Sequence, residues 1–148
     1  MMKLLVLNGP NLRRLDLREN HIYGDFDYAT LEGYLREVTT AEGFEVDLRQ
    51  SDDEAVLIGW LHEAADKKIP VVINPAAFTH YSYAIRDAVV MLKAPVIEVH
   101  LSNPLSREEF RHTSVISGVV NGTISGFGMN SYRLAVIAMR ELIANLEK

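Results

Sequence analysis

A doubly wound α/β fold built on a single five-stranded parallel sheet is the architecture this sequence predicts. Short β-branched, apolar runs alternate with longer segments of helical period along the whole chain. The side chains able to do chemistry fall just after those runs, where ligands sit in such folds. Size agrees: 148 residues, 48% hydrophobic and 24% charged without biased tracts, suit one domain over residues 1–148 that can bury its own core.

The first run, Lys3 to Asn8, reads as a strand. After a polar loop comes a helix from about Thr30 to Glu42, with Leu31, Tyr34, Leu35 and Val38 on one face and Gly43 as its stop. Phe44 to Arg49 alternates as a second strand. Ser51 is expected to cap the next helix, in which Leu57, Trp60, Leu61 and Ala64 recur at helical spacing. Ile69 to Asn74 is continuously apolar, as expected of a strand buried on both faces. Ala84, Ile85, Ala88, Val89 and Leu92 mark a third helix, and Pro95 to His100 a fourth strand. A helical turn is expected near Arg107–Arg111, then a weaker fifth strand from Val119 to Ser125. The last helix runs from Asn130 to Leu146, its stripe read as Leu134, Ile137, Ala138, Glu141 and Leu142. Five strands alternating with helices give a flavodoxin-like order, and right-handed crossovers put every loop that follows a strand at one edge.

Composition closes off several classes of function. There is no cysteine, which excludes thiol catalysis, Cys-based zinc sites and disulfides. A net charge of -5 argues against nucleic-acid or anionic-membrane partners. The apolar start, Met1 to Leu7, is too short for a signal peptide and ends at Asn8-Gly9-Pro10-Asn11 without a small-residue cleavage site. No stretch reaches the ~20 apolar residues that span a bilayer. A cytoplasmic protein is the expectation.

Three loops should meet at the ligand edge. The first brings Asn11, Arg18 and Tyr23-Gly24, the second Asn74 to His80, and the third Glu98, His100, Ser102 and Asn103. Of the remaining histidines, His62 falls within a helix, while His21 and His112 are read as loop residues without a partner at metal-ligand spacing. No metal site is expected. Taken singly, each is weak evidence: Asn11 and Asn74 could simply cap turns, a lone tyrosine such as Tyr23 is far more often packing than base, and His100 could be a buried histidine bonded to Glu98 or to a backbone carbonyl. Only their shared placement argues for a site.

At these residues the sequence resembles the type II 3-dehydroquinate dehydratases. Asn8-Gly9-Pro10-Asn11-Leu12 with Arg18 and Tyr23-Gly24 is similar to that family's opening motif. Asn74-Pro75-Ala76-Ala77-Phe78-Thr79-His80 followed by Ile85-Arg86-Asp87-Ala88 is similar to the second. Glu98-Val99-His100-Leu101-Ser102-Asn103 followed by Arg107-Glu108-Glu109-Phe110-Arg111 is similar to the third. The resemblance implies trans-dehydration of 3-dehydroquinate to 3-dehydroshikimate through an enolate, without a cofactor. By it, Tyr23 would be the base, His100 the acid, and Arg18 the partner of the tyrosinate. Asn11 would hold a water near the enolate oxygen. Asn74, His80, Leu101, Ser102 and Arg111 would bind substrate. Asp87 would reach a neighbouring subunit's site in a dodecamer built of trimers. Arg13, Asp16 and Asn20 depart from the family's usual residues in the first loop, which resembles a flexible lid; an Asp16–arginine contact there is one expectation.

The chemistry asks for these side chains. A proton leaves the carbon beside a ketone and a hydroxyl leaves the next carbon, which requires a base, a home for the enolate charge and an acid. A free tyrosine, with a pKa of ~10, is ionised only about once in a thousand at neutral pH, so a guanidinium beside Tyr23 would matter. Glu98 lies two positions before His100 and shares its face of a regular strand, where it would orient the imidazole. The same net reaction can run through a lysine imine. Lys3, Lys67, Lys68, Lys93 and Lys148 are all expected away from the ligand edge.

Two other readings stay open at this stage. A flavin mononucleotide binder would want a Ser/Thr-rich loop after the first strand, where Gly9-Pro10-Asn11-Leu12-Arg13-Arg14 stands. A non-enzymatic binder of related acids would need neither base nor acid. The glycines at Gly122, Gly126 and Gly128 read as turns before the last helix.

Overall fold

The strands are β1 (Met2–Asn8), β2 (Phe44–Gln50), β3 (Val71–Asn74), β4 (Val96–His100) and β5 (Gly122–Ser125). In a computed structural model, which describes residues 1–147, they form one sheet in the order β2-β1-β3-β4-β5. All four neighbouring pairs are parallel. This is the expected doubly wound, flavodoxin-like arrangement, with the winding reversing between β1 and β3.

The helices are α1 (Asn20–Tyr23), α2 (Tyr28–Ala41), α3 (Glu54–Lys67), α4 (Tyr83–Val90) and α5 (Asn130–Leu146). Strand parity decides which helix covers which face. Leu4, Val6, Val72, Ile97 and Val99 pack with Leu31 and Leu35 of α2 and with Tyr132, Ala135, Val136 and Met139 of α5. Leu5, Leu7, Val71, Ile73 and Val96 pack with Leu57, Leu61 and Ala64 of α3 and with Ile85, Ala88 and Val89 of α4. Every one of these side chains is at most 4% exposed. The same parity carries past the apolar positions: Asn8 and Asn74 fall on the α2/α5 side, while Glu98 falls on the α3/α4 side.

Several local expectations are corrected. Ser51 does not cap α3. Asp53 does, accepting from the Ala55 and Val56 amides, while Ser51 Oγ accepts from the Asp53 amide one step earlier. The third strand starts at Val71 rather than Ile69, because Pro70 has no N–H to give; its carbonyl instead accepts from Leu5 N at 3.0 Å. Ser117–Val119 wind into a 3₁₀ turn, so β5 is only four residues long. The buried stripe of α5 is Ser131, Tyr132, Ala135, Val136 and Met139, rotated from the predicted one, and Glu141 is exposed. Tyr132 anchors that rotation, since its polar tip as well as its ring finds partners in the interior. The second helix begins two residues early because Asp27 caps it, accepting from Thr30 N at 2.8 Å and Thr30 Oγ1 at 2.7 Å. Among the described residues no helix is long and apolar enough to cross a membrane.

Candidate active site

The loops after β1, β3 and β4 meet over the sheet's C-terminal edge, and the close approach of the first two depends on one residue. A Cβ at Gly9 would lie 2.8 Å from the Pro75 carbonyl oxygen and 2.9 Å from its carbon. Both atoms are backbone, so neither can step aside. The loops are also joined directly, Gly9 N donating to Asn74 O at 2.8 Å.

The cavity they enclose is lined by Asn11, Arg18 and Tyr23 from the first loop, Asn74 and His80 from the second, and His100, Leu101, Ser102 and Arg111 from the third. The structure thus brings together nine of the side chains singled out in the sequence. Glu98 does not line the cavity and sits behind His100, fully buried. Asp87 lies on α4, away from the cavity, exposed and paired with Arg86 at 3.3 Å.

Tyr23 is buried, and its hydroxyl accepts a hydrogen bond from an Arg18 Nη. The Arg18 guanidinium carbon lies 3.8 Å from the ring centroid. Burial lowers Arg18 from the ordinary arginine range, while the Tyr23 hydroxyl favours its charge and Arg107 and Arg111 oppose it. Arg107 was not among the predicted site residues. It lies over the Tyr23 ring at 4.9 Å, donates from Nη1 to Ser102 Oγ at 3.4 Å, and has a buried Nε without a partner. Its place in the third motif was the only signal the sequence carried.

His100 Nε2 lies 2.6 Å from Glu98 Oε2. Burial alone would push the Glu98 carboxyl up. The His100 imidazole, with hydrogen bonds from Ser117 Oγ at 2.5 Å and Thr79 Oγ1 at 2.6 Å, more than offsets this and holds it below the usual carboxylate range. An ionised Glu98 accepts only, so Nε2 of His100 carries the hydrogen of that bond. Nδ1 is then the imidazole nitrogen available for proton transfer.

Burial also lowers His80 from the ordinary histidine range. Its Nδ1 lies 2.8 Å from the Thr113 carbonyl, which can only accept, so Nδ1 bears the hydrogen and Nε2 is left as an acceptor. Asn74 Nδ2 donates to the Tyr132 hydroxyl at 2.9 Å, and its Oδ1 accepts from Ala76 N at 3.1 Å. Arg111 is steered by an Nε bond to Glu108.

Arg13, Asp16 and Asn20 in the first loop each have a local partner. Arg13 Nε donates to Gln50 Oε1 at 3.0 Å, and its guanidinium lies 4.9 Å from the Tyr28 ring centroid. Asp16 pairs with Arg14 through two bonds of 3.0 and 2.9 Å, the expected arginine contact. Asn20 Nδ2 donates to Asp25 Oδ1 at 3.3 Å. Asn11 is held at φ 69° with its backbone N–H donating to Asp52 Oδ1 at 2.9 Å.

His21 belongs to α1, and His112 to a 3₁₀ turn with its Nε2 3.1 Å from Arg107 O, so neither sits in the irregular loop expected for it. His62 is on α3, as expected, and is exposed. Among the described residues no lysine lines the cavity, and no group of three or more His, Asp or Glu side chains could hold a metal. Lys148 lies outside the described residues.

Residues 2–140 match the family model for dehydroquinase class II. The chain belongs to the class II dehydroquinase family. It is 53% identical over 135 residues to the 3-dehydroquinate dehydratase of Salinispora tropica, a match covering 91% of this chain and 94% of that protein. It is 50% identical over 141 residues to that of Halalkalibacterium halodurans, covering 95% and 97%. The crystal structure of type II dehydroquinase from Propionibacterium acnes superposes with a TM-score of 0.92 at 51% identity, covering 95% of this chain and 97% of that one. A 3-dehydroquinate dehydratase-like protein from Bifidobacterium longum is more distant in shape, with a TM-score of 0.73 at 43% identity over 97% of this chain and 99% of that one. In this class II dehydroquinase, Arg13, Asp16 and Asn20 are held by their local partners and do not line the cavity.

Proposed function

We propose that this chain catalyses the dehydration of 3-dehydroquinate to 3-dehydroshikimate, with Tyr23 as base and His100 as acid. The observation that carries the mechanism is the pairing of each group with its own partner across one cavity: Tyr23 with Arg18, and His100 with a buried, ionised Glu98.

Tyr23 as phenolate takes the proton from the carbon beside the ketone. Arg18, aimed at the phenolic oxygen, stabilises the negative charge on it. Electrons move onto the ketone oxygen, and the enolate is stabilised by a water held at Asn11. The enolate then collapses, the bond to the neighbouring hydroxyl breaks, and His100 gives its Nδ1 proton to the departing oxygen, which leaves as water. Glu98 stabilises the imidazolium before that transfer. Asn74, Ser102 and the Leu101 backbone grip hydroxyl and carboxylate oxygens, and His80 accepts from a hydroxyl through Nε2. Arg111 supplies charge for the carboxylate, as does the unpaired edge of Arg107. No step needs a lysine imine or a cofactor. Asp87 completes a neighbouring subunit's site in a dodecamer built of trimers, and light scattering that returns a monomer overturns that part. The setting is taken to be cytoplasmic, with no nucleic-acid or membrane partner.

An ultraviolet assay for the conjugated product, on metal-stripped protein, tests the reading. Wild type turns over in the presence of borohydride, and Tyr23→Phe loses activity by at least about a hundred-fold while still binding ligand. Borohydride inactivation would restore the imine route. Ligand binding without turnover in the wild type would make the chain a binder.

A further inference from the structure

From the Asn74 side chain at the cavity wall inward, four buried polar side chains join in one line. Asn8 and Asn74 are register partners at the ends of β1 and β3. Both fall on the α2/α5 face and are 0% and 2% exposed. Tyr132 of α5 reaches between them, fully buried. Its hydroxyl donates to Asn8 Oδ1 at 2.6 Å and accepts from Asn74 Nδ2 at 2.9 Å. Asn8 Nδ2 continues the line to the hydroxyl of Tyr28, the first residue of α2, at 3.3 Å.

The donors and acceptors fit in one consistent order. Ala76 N can only donate, so Oδ1 of Asn74 faces it and Nδ2 faces Tyr132. With its lone pair engaged by Asn74, the Tyr132 hydroxyl gives its hydrogen to Asn8 Oδ1, which turns Asn8 Nδ2 toward Tyr28. Burial pushes the Tyr132 phenol well above the ordinary tyrosine range, so it keeps that hydrogen throughout the working pH range. Ala76 itself stands at φ 51°, an unfavourable conformation for a residue with a Cβ, and the Asn74 side chain is one of the bonds that holds it there.

We propose that Tyr132 is a positioning residue of the active site: its hydroxyl fixes the Asn74 amide in the orientation that presents its remaining N–H and lone pair to substrate, and through Asn8 and Tyr28 it ties that orientation to the start of α2, just after the loop that carries Arg18 and Tyr23. This rests on the reading of Asn74 as a substrate-binding residue. Tyr132→Phe keeps the ring in the apolar cluster and removes only the hydroxyl. The Asn74 amide is then left with a buried N–H unmatched, and it turns to satisfy it.

The test is a double-mutant cycle between Tyr132→Phe and Asn74→Ala, read in kcat and KM for 3-dehydroquinate and, by calorimetry, in the affinity for 3-dehydroshikimate. Tyr132→Phe is expected to raise KM about ten-fold, to lower kcat far less, and to leave the pH profile unmoved. The double variant is expected to be no worse than Asn74→Ala alone, because Tyr132 acts through that amide. Losses that multiply, or a Tyr132→Phe enzyme equal to wild type, overturn the proposal and leave the function standing. An Asn74→Ala enzyme equal to wild type overturns both the proposal and the substrate-binding role of Asn74. A wild-type chain that binds product without turnover fails the catalytic reading, yet its affinities still complete the cycle; one that neither turns over nor binds overturns both. Should Tyr132→Phe not fold, Asn8→Ala removes the acceptor that aims the Tyr132 hydroxyl, and it should raise KM with the same non-additivity toward Asn74→Ala; additive loss, or none, overturns the proposal.

Discussion

Glu98 shows how much a single residue's role depends on neighbours far away in sequence. A fully buried carboxylate is costly unless its lone pairs are satisfied, and here His100, Thr79 and Ser117 do that from three separate segments. Glu98→Gln keeps the shape and removes the charge that stabilises a protonated His100. We expect kcat/KM to fall about ten- to a hundred-fold, with the alkaline limb of the profile moving to lower pH. An unchanged profile would mean that Glu98 only fills space. The Glu98–His100 pair was legible in the sequence because two positions along a strand always share a face. Thr79 and Ser117 were not legible as its partners, nor Tyr132 as the partner of Asn74. No local spacing links residues 19 or 58 positions apart. Arg107 was missed for a related reason: an arginine in a loop gives no sign of which ring it will cover.

At the scale of elements, hydrophobic period located all five strands and the longer helices, while hydrogen-bonding capacity set their ends. Pro70 delays β3, Asp53 displaces Ser51 as the cap, and the buried hydroxyl of Tyr132 rotates α5. The junction of the β1 and β3 loops carries a sharper consequence. Gly9→Ala drives a methyl against the Pro75 backbone and forces apart the two segments that hold Asn11 and Asn74. The expected cost is about 1–3 kcal/mol in urea denaturation, together with a loss of kcat/KM larger than a stability effect alone would give. Gly33 is the control: it lies in α2, is exposed, and has nothing within 4 Å of an added Cβ. Gly33→Ala should stabilise by up to about 1 kcal/mol and leave activity unchanged. Equal behaviour of the two variants would show that the loop junction is slack.

For the molecule as a whole, the arrangement of carboxylates predicts where stability is lost on acidification. Hydrogen bonds from Arg49 and then Lys67 bring Glu63 down to about 2, and the same Arg49 lowers Asp47, so the end of β2 is tied to α3 by one guanidinium. Glu98 is lowered too, its partners outweighing the opposing effect of burial. All three take up protons more readily in the unfolded chain than in the folded one. Their stabilisation is therefore complete above the ordinary carboxylate range and is lost as pH falls through their folded values, which for Glu63 means from about 4.5 to about 2. His80 acts in the same direction nearer neutrality, since burial makes it harder to protonate in the fold than in the unfolded chain, where it takes up a proton below about pH 6.5. Urea midpoints at fixed protein concentration should fall as pH is lowered from 7 toward 3, and Glu63→Gln should flatten the steepest, most acidic part of that curve. Fixed concentration matters because assembly would itself contribute to apparent stability. A Glu63→Gln curve parallel to that of the wild type would show that the Arg49 bridge, only partly shielded from water, is as weak as most surface ion pairs. Acid lability would then rest on the buried Glu98, behind the cavity, and on His80.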